Sequence, residues 1–266
     1  MENINSHLVS VARSLLLSER EWSRIRSSIH FLQQRLDSCF QDEVNEHFLF
    51  GSSVRGTILP RRVDEDSDID YMVVFKNEGD YKPATLLNWL RSFVETTYSR
   101  SEIYQSHPTI VLELDHIKFE LVPAVQSSLW MDSFYIPAPT TGYMKWMPTE
   151  PSRLNDLIEN ANRNYHYQIK RLIRILKYWN VRNDRVYSSY ELETFIGNMT
   201  FLGCNMMEDY FYYAVRNLPT YSLPQYKCDK VVSFKEKVEG IRDDYYNKGL
   251  KSYALMNLKL LLPLPK

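Results

Sequence analysis

Asp68-Ile69-Asp70 runs directly into Tyr71-Met72-Val73-Val74-Phe75, and no other stretch constrains the fold as strongly. The apolar run reads as a strand. Side chains alternate along a strand, so Asp68 and Asp70 project from one face while Ile69 and Tyr71 project from the other. Two carboxylates on one face suit Mg²⁺, a small, hard, octahedral ion usually held by one or two carboxylates plus the phosphate oxygens of a substrate. Phosphoryl chemistry relies mainly on positioning and charge stabilisation. Two such ions sharing carboxylates can activate an attacking hydroxyl and stabilise a departing pyrophosphate.

Upstream, Phe48-Leu49-Phe50 reads as a short strand that Gly51 ends at a turn, where backbone can come close to a ligand. Ser52 then opens a helix whose first N–H groups and hydroxyl favour phosphate oxygens. Taken alone, these residues equally suit a serine N-cap and an acidic turn.

The order of several segments narrows the choice. Gly51-Ser52, Gly56-Thr57 and Asp66-Ser67-Asp68-Ile69-Asp70 together resemble the DNA polymerase β-type nucleotidyltransferase superfamily. Within it, the likeness is to the CD-NTases, bacterial relatives of cyclic GMP-AMP synthase and oligoadenylate synthetase. Lys118-Phe119-Glu120-Leu121-Val122-Pro123-Ala124 is similar to the strand bearing that family's third carboxylate. Arg174-Ile175-Leu176-Lys177-Tyr178-Trp179-Asn180 is similar to the helix with a phosphate-contacting lysine. Ser188-Ser189-Tyr190-Glu191-Leu192-Glu193 is similar to the segment whose serine touches the triphosphate and whose tyrosine stacks on a base.

The resemblance implies an α+β fold: a polymerase β-like core with a mixed β-sheet, plus a C-terminal helical lobe. Residues 1–150 would form the catalytic core with an N-terminal helix, and residues 151–266 the helical lobe closing the nucleotide cleft. Asp68, Asp70 and Glu120 would be the catalytic and metal-binding set, holding Mg²⁺ or, in its place, Mn²⁺. Gly51, Ser52, Lys177, Ser189 and Tyr190 would contact the nucleotide. The substrates would be nucleoside triphosphates, and the product a cyclic di- or trinucleotide or a short linear oligonucleotide. That product would be an antiphage second messenger acting on a messenger-gated effector protein. Two alternatives remain: an enzyme of the same fold that modifies an RNA end or a protein, and a weakly catalytic nucleotide-binding protein.

One position departs from the family pattern. Asp is usual at the third carboxylate, and this chain has Glu120, whose oxygens lie about one methylene further out. Glu113 and Asp115, sharing a face of the preceding strand Val111-Leu112-Glu113-Leu114-Asp115, could contribute instead, with Asp115-His116 as the turn of a hairpin.

Composition bounds the rest. The 266 residues, 44% apolar and 24% charged, are those of an ordinary folded soluble chain of one or two domains. A net charge of −1 supplies no global basic field for duplex nucleic acid. No apolar run approaches a membrane span, and Met1-Glu2-Asn3-Ile4-Asn5 lacks the order of a signal peptide, so a cytoplasmic address is expected, and separately a monomer. Cys39, Cys204 and Cys228 are far apart, which suggests reduced thiols in the core rather than a disulfide framework or zinc site.

Periodicity places helices over about 6–38, as one long or broken element, over about 84–98, and over about 153–181 behind a break at Pro151-Ser152. Arg163, Lys170, Arg174 and Lys177 fall along one line of that last helix, where a basic stripe is normally solvated. Arg55, Arg61 and Arg62 could contact phosphate or balance Asp64, Glu65 and Asp66. The cluster Tyr210-Phe211-Tyr212-Tyr213 reads as packing.

Overall fold

The computed structural model describes residues 2–76, 80–106, 108–126, 133–138 and 145–265. In chain order the elements begin with α1 (Ile4–Ser14), α2 (Glu19–Phe40), β1 (Val44–Leu49), α3 (Gly51–Arg55), β2 (Asp68–Phe75) and α4 (Pro83–Thr97). There follow β3 (Glu102–Ser106), β4 (Thr109–Leu114), β5 (Ile117–Gln126), β6 (Phe134–Pro137) and β7 (Trp146–Thr149). Helices α5 (Pro151–Asn164), α6 (Ile169–Val181), α7 (Ser189–Gly197), α8 (Met207–Asn217), α9 (Gln225–Tyr246) and α10 (Lys251–Leu261) complete the chain. They divide into two compact units, Leu17–Arg61 with Asp66–Asn155, and Met1–Leu16 with Arg62–Glu65 and Asp156–Lys266.

The first unit is built on one mixed sheet in the order β1-β2-β5-β4-β3, extended by β6 on β5 and β7 on β6. Among the described strands only β2 and β5 run parallel. Ile69, Tyr71, Val73 and Phe75 of β2 and Phe119 and Leu121 of β5 point to one face, which Leu32 and Leu36 of α2 and Leu86, Leu90 and Phe93 of α4 cover. Met72, Val74 and Ala124 point to the other, against Phe134. A strand buried on both sides reads as a near-continuous apolar run, and here only its head is acidic.

The second unit is helical around α6, where ten residues from Ile169 to Asn180 are buried. A helix apolar on nearly every side belongs in the middle of its unit. Trp179 stacks on Phe234 of α9 with ring centroids 4.1 Å apart, and Tyr210 and Phe211 are fully buried, so that aromatic cluster is largely packing. His7 of α1 meets the Leu262 carbonyl at 2.9 Å.

The N-terminal element is the broken one of the two forms expected, and two other expectations need correction. The N-terminal periodicity belongs to two helices, because Ser18 starts a new one: it accepts from the Glu21 N–H at 3.2 Å while the Glu21 carboxylate accepts from the Ser18 N–H at 2.7 Å. Helix α1 packs with α6, α8 and α10 in the helical unit. The stretch 153–181 is also two helices. His166 and Tyr167 take positive φ, and the buried Asn162 caps α6 by accepting the Lys170 N–H at 3.1 Å. All three thiols are free as expected, but Cys39 is exposed rather than in the core.

Candidate active site

The acidic face follows from strand register. Along the parallel pair, Asp68 lies beside Lys118 and Asp70 beside Glu120. Across the antiparallel pair, Val111 lies beside Glu120 and Glu113 beside Lys118. With a side-chain period of two, Asp68, Asp70, Lys118, Glu120 and Glu113 all stand on the face opposite α2 and α4. Asp115 lies past the end of β4, in the expected Asp115-His116 turn that joins β4 to β5.

Glu120 stands beside Asp70 on this face. Its carboxyl is hydrogen-bonded to Asp68, and its pKa is pushed up to about 7, first by burial and then by the Asp68 charge, with Lys118 and Thr109 opposing. Lys118 Nζ stands 3.8 Å from Glu120 Oε1, and the Thr109 hydroxyl donates to Glu120 Oε2 at 3.5 Å. Glu113 is engaged by Arg61, whose guanidinium lies 2.6 Å from Glu113 Oε1 and donates to the Leu114 carbonyl at 3.3 Å. Arg61 therefore balances a strand acid.

Gly51 is required by proximity. Its φ is +74°, and a Cβ added there would fall 1.6 Å from Asp70 Oδ2, so only glycine lets the turn lie against that carboxylate. The Phe50 N–H donates to the Asp70 carbonyl at 3.1 Å, fixing the turn to β2. Helix α3 closes at Gly56 in the left-handed region. The N–H groups of Thr57 and Ile58 donate back to the Ser52 carbonyl at 3.0 and 3.1 Å. Ser52, Ser53 and Thr57 are buried.

Among the described residues, no three His, Cys, Asp or Glu side chains are gathered as a ready-made cation cage. The donor set nonetheless fits a hard divalent ion that brings further oxygen ligands with a nucleotide. Two carboxyls held against each other in a partly buried site, one with its pKa raised, are an arrangement a cation relieves.

The helical unit holds the other expected contacts. Lys177 of α6 is buried, and its Nζ donates to Glu193 Oε1 of α7 at 3.2 Å, with Glu193 wholly buried. Arg174, one turn earlier, is also buried, and burial together with the Arg171 charge lowers its pKa to about 10. The solvated basic stripe is thus broken up: Arg163 and Lys170 pair with Glu159 at 3.1 and 2.6 Å, whereas Arg174 and Lys177 are interior. Lys177 and Ser189 line one cavity of about 450 Å³, together with Arg185, Ser188, Glu191 and Lys227. Its rim is fixed by polar bonds: Asn180 exchanges two hydrogen bonds with the Tyr187 backbone, and Lys227 donates to the Arg185 and Val186 carbonyls. Ser188 caps α7 through Glu191, which leaves Ser189 and Tyr190 exposed at the helix start. Tyr190, 64% exposed, presents a bare ring.

Two residues were not singled out for this chemistry by sequence. Glu193 lies between Leu192 and Ile196 in the buried stripe of α7, and a carboxylate in an apolar stripe signals a hidden cation partner. Lys118 is a buried lysine in a mostly apolar strand, two residues before Glu120, a signal of the same kind.

A mixed sheet with Asp68, Asp70, Glu113 and Glu120 on one face and a glycine-serine turn against Asp70 has the polymerase β-like nucleotidyltransferase architecture. The chain belongs to the family of the Second Messenger Oligonucleotide or Dinucleotide Synthetase domain, SMODS, which it matches over residues 2–162. It is 29% identical over 182 residues to a probable cyclic nucleotide synthase of Bacillus cereus, covering 55% of this chain and 53% of that protein. The chain therefore spans about half the length of this curated relative. Its fold is that of solved CD-NTases. Vibrio cholerae DncV in its apo form gives a TM-score of 0.75 at 10% identity, covering 95% of this chain and 92% of that one. Bradyrhizobium diazoefficiens CdnG with GTP gives 0.70 at 12%, covering 95% and 97%. E. coli CdnC with ATP gives 0.68 at 14%, covering 93% and 96%. No described helix is long and apolar enough to cross a membrane.

Proposed function

We propose that the chain is a Mg²⁺-dependent nucleotidyltransferase that joins nucleoside triphosphates into a cyclic di- or trinucleotide, or a short linear oligonucleotide, with release of pyrophosphate. The observation that carries this reading is the register that sets Glu120 beside Asp70 with its carboxyl bonded to Asp68. Asp68, Asp70 and Glu120 are the residues that would hold Mg²⁺ or Mn²⁺, and a bound divalent ion supplies charge stabilisation for displacement at the α-phosphate. Glu120, beside Asp70 on the same face, is assigned to help deprotonate the attacking ribose hydroxyl. Ser52, on the turn that Gly51 holds against Asp70, is assigned to the triphosphate. Lys177 and Ser189, which share a cavity, are assigned to phosphate oxygens, and the exposed Tyr190 ring to stacking on a base. The solved relatives bound to ATP and GTP support nucleoside triphosphates as substrates. The SMODS match supports a messenger product, for which antiphage defence through a messenger-gated effector is the proposed setting.

The test incubates purified protein with labelled ATP, GTP, CTP and UTP and either Mg²⁺ or Mn²⁺. A small phosphatase-resistant product, absent from Asp68→Asn and Asp70→Asn, is the expected result. Label appearing in RNA or protein instead would reassign the acceptor.

A further inference from the structure

Lys118 is 8% exposed and stands among the acids of the sheet. It lies directly beside Asp68 on one neighbouring strand and Glu113 on the other, and its Nζ is 3.8 Å from Glu120 Oε1. A lysine is almost never buried unless paired, and directly opposed side chains of unlike charge on adjacent strands attract. Arg61 meets Glu113 at 2.6 Å, so Lys118 answers chiefly to Glu120, with Asp68 next to it in register. Those are two of the three carboxylates assigned to the metal.

We propose that Lys118 is a built-in counter-ion that competes with the divalent cation for Asp68 and Glu120 and so sets how strongly this face takes up metal. The inference rests on the metal-site reading above. Affinity for a hard cation follows the net charge of its ligands, and an ammonium beside two of them subtracts from it. The face alone then holds metal weakly. The charge of a triphosphate outweighs one ammonium, so metal is taken up together with nucleotide. Lys118 also keeps the acids compatible with burial while no metal is present.

The test titrates Mn²⁺ alone into the full chain, following the loss of free Mn²⁺ signal by electron paramagnetic resonance. Lys118→Met is expected to bind Mn²⁺ roughly tenfold more tightly than wild type, about 1.4 kcal/mol. It should also unfold at a lower temperature in EDTA and gain more from added Mn²⁺. Lys118→Arg, which keeps the charge, should retain wild-type affinity. If Lys118→Met does not fold, Lys118→Gln is read in its place. Unchanged or weaker Mn²⁺ binding by the uncharged variant, with binding lost in Asp68→Asn, overturns the counter-ion and leaves the metal site standing. Equal binding by wild type and Asp68→Asn removes both.

Discussion

Glu120→Gln should make the metal-free protein more stable at neutral pH, although the residue is assigned to the active site. The carboxyl is raised from 4.5 to about 7, chiefly by burial and next by the charge of Asp68. A carboxyl whose folded pKa lies above its unfolded one opposes folding wherever the unfolded chain would ionise it more readily. The penalty is absent below about 4.5, grows as pH rises, and is complete above about 7. At 1.36 kcal/mol per pH unit, the full shift corresponds to about 3 kcal/mol at most. Glutamine has nearly the same shape and no charge to lose. Thermal unfolding in EDTA, followed by circular dichroism from pH 4.5 to 8, should therefore show Glu120→Gln above wild type at pH 8, at roughly 2–4 °C per kcal/mol. The gap should close toward pH 4.5. Mn²⁺ should narrow it at pH 8, because the ion binds folded wild type and stabilises it by mass action. A variant no more stable than wild type at pH 8, or a gap that does not change with pH, would refute the reasoning.

Further outcomes follow from single contacts. Gly51→Ala places a Cβ where it would meet Asp70 Oδ2, at a residue with φ of +74°, so product formation should fall by roughly 100-fold as Asp70 is displaced. Lys177→Met leaves the wholly buried Glu193 without its lysine and should lose about 3–5 kcal/mol in urea unfolding, most of which the double variant with Glu193→Gln regains. Tyr190→Ala removes an exposed ring, so stability should stay within about 0.5 kcal/mol. Its affinity for a non-hydrolysable ATP analogue, measured by calorimetry, should drop by about 1–3 kcal/mol.

How far the sequence reached is best judged residue by residue. The alternation of Asp68, Ile69 and Asp70 is a local property, and it placed both acids on one face correctly. The Asp115-His116 hairpin turn was equally local. Which strands lie side by side is decided by the whole sheet, so the juxtaposition of Asp70 with Glu120 and of Lys118 with Asp68 had no signature in either strand alone. The family likeness supplied Glu120, and register explained how it reaches Asp68. The break between α5 and α6 falls in Tyr165-His166-Tyr167-Gln168, which contains neither Gly nor Pro, and its cap comes from Asn162, earlier in the chain. Helix α1 is amphipathic, and amphipathicity says that a face is buried without saying against what. The partner of Lys177 was hidden for a like reason: Glu193 is on another helix, sixteen residues away.

The most direct test of the central claim is anomalous diffraction from crystals grown with Mn²⁺ and a non-hydrolysable nucleoside triphosphate. The account predicts a Mn²⁺ peak ligated by the carboxylates of Asp68 and Asp70, with Glu120 completing the set and phosphate oxygens filling the remaining positions. A bound nucleotide whose Mn²⁺ lies away from Asp68 and Asp70 would contradict it.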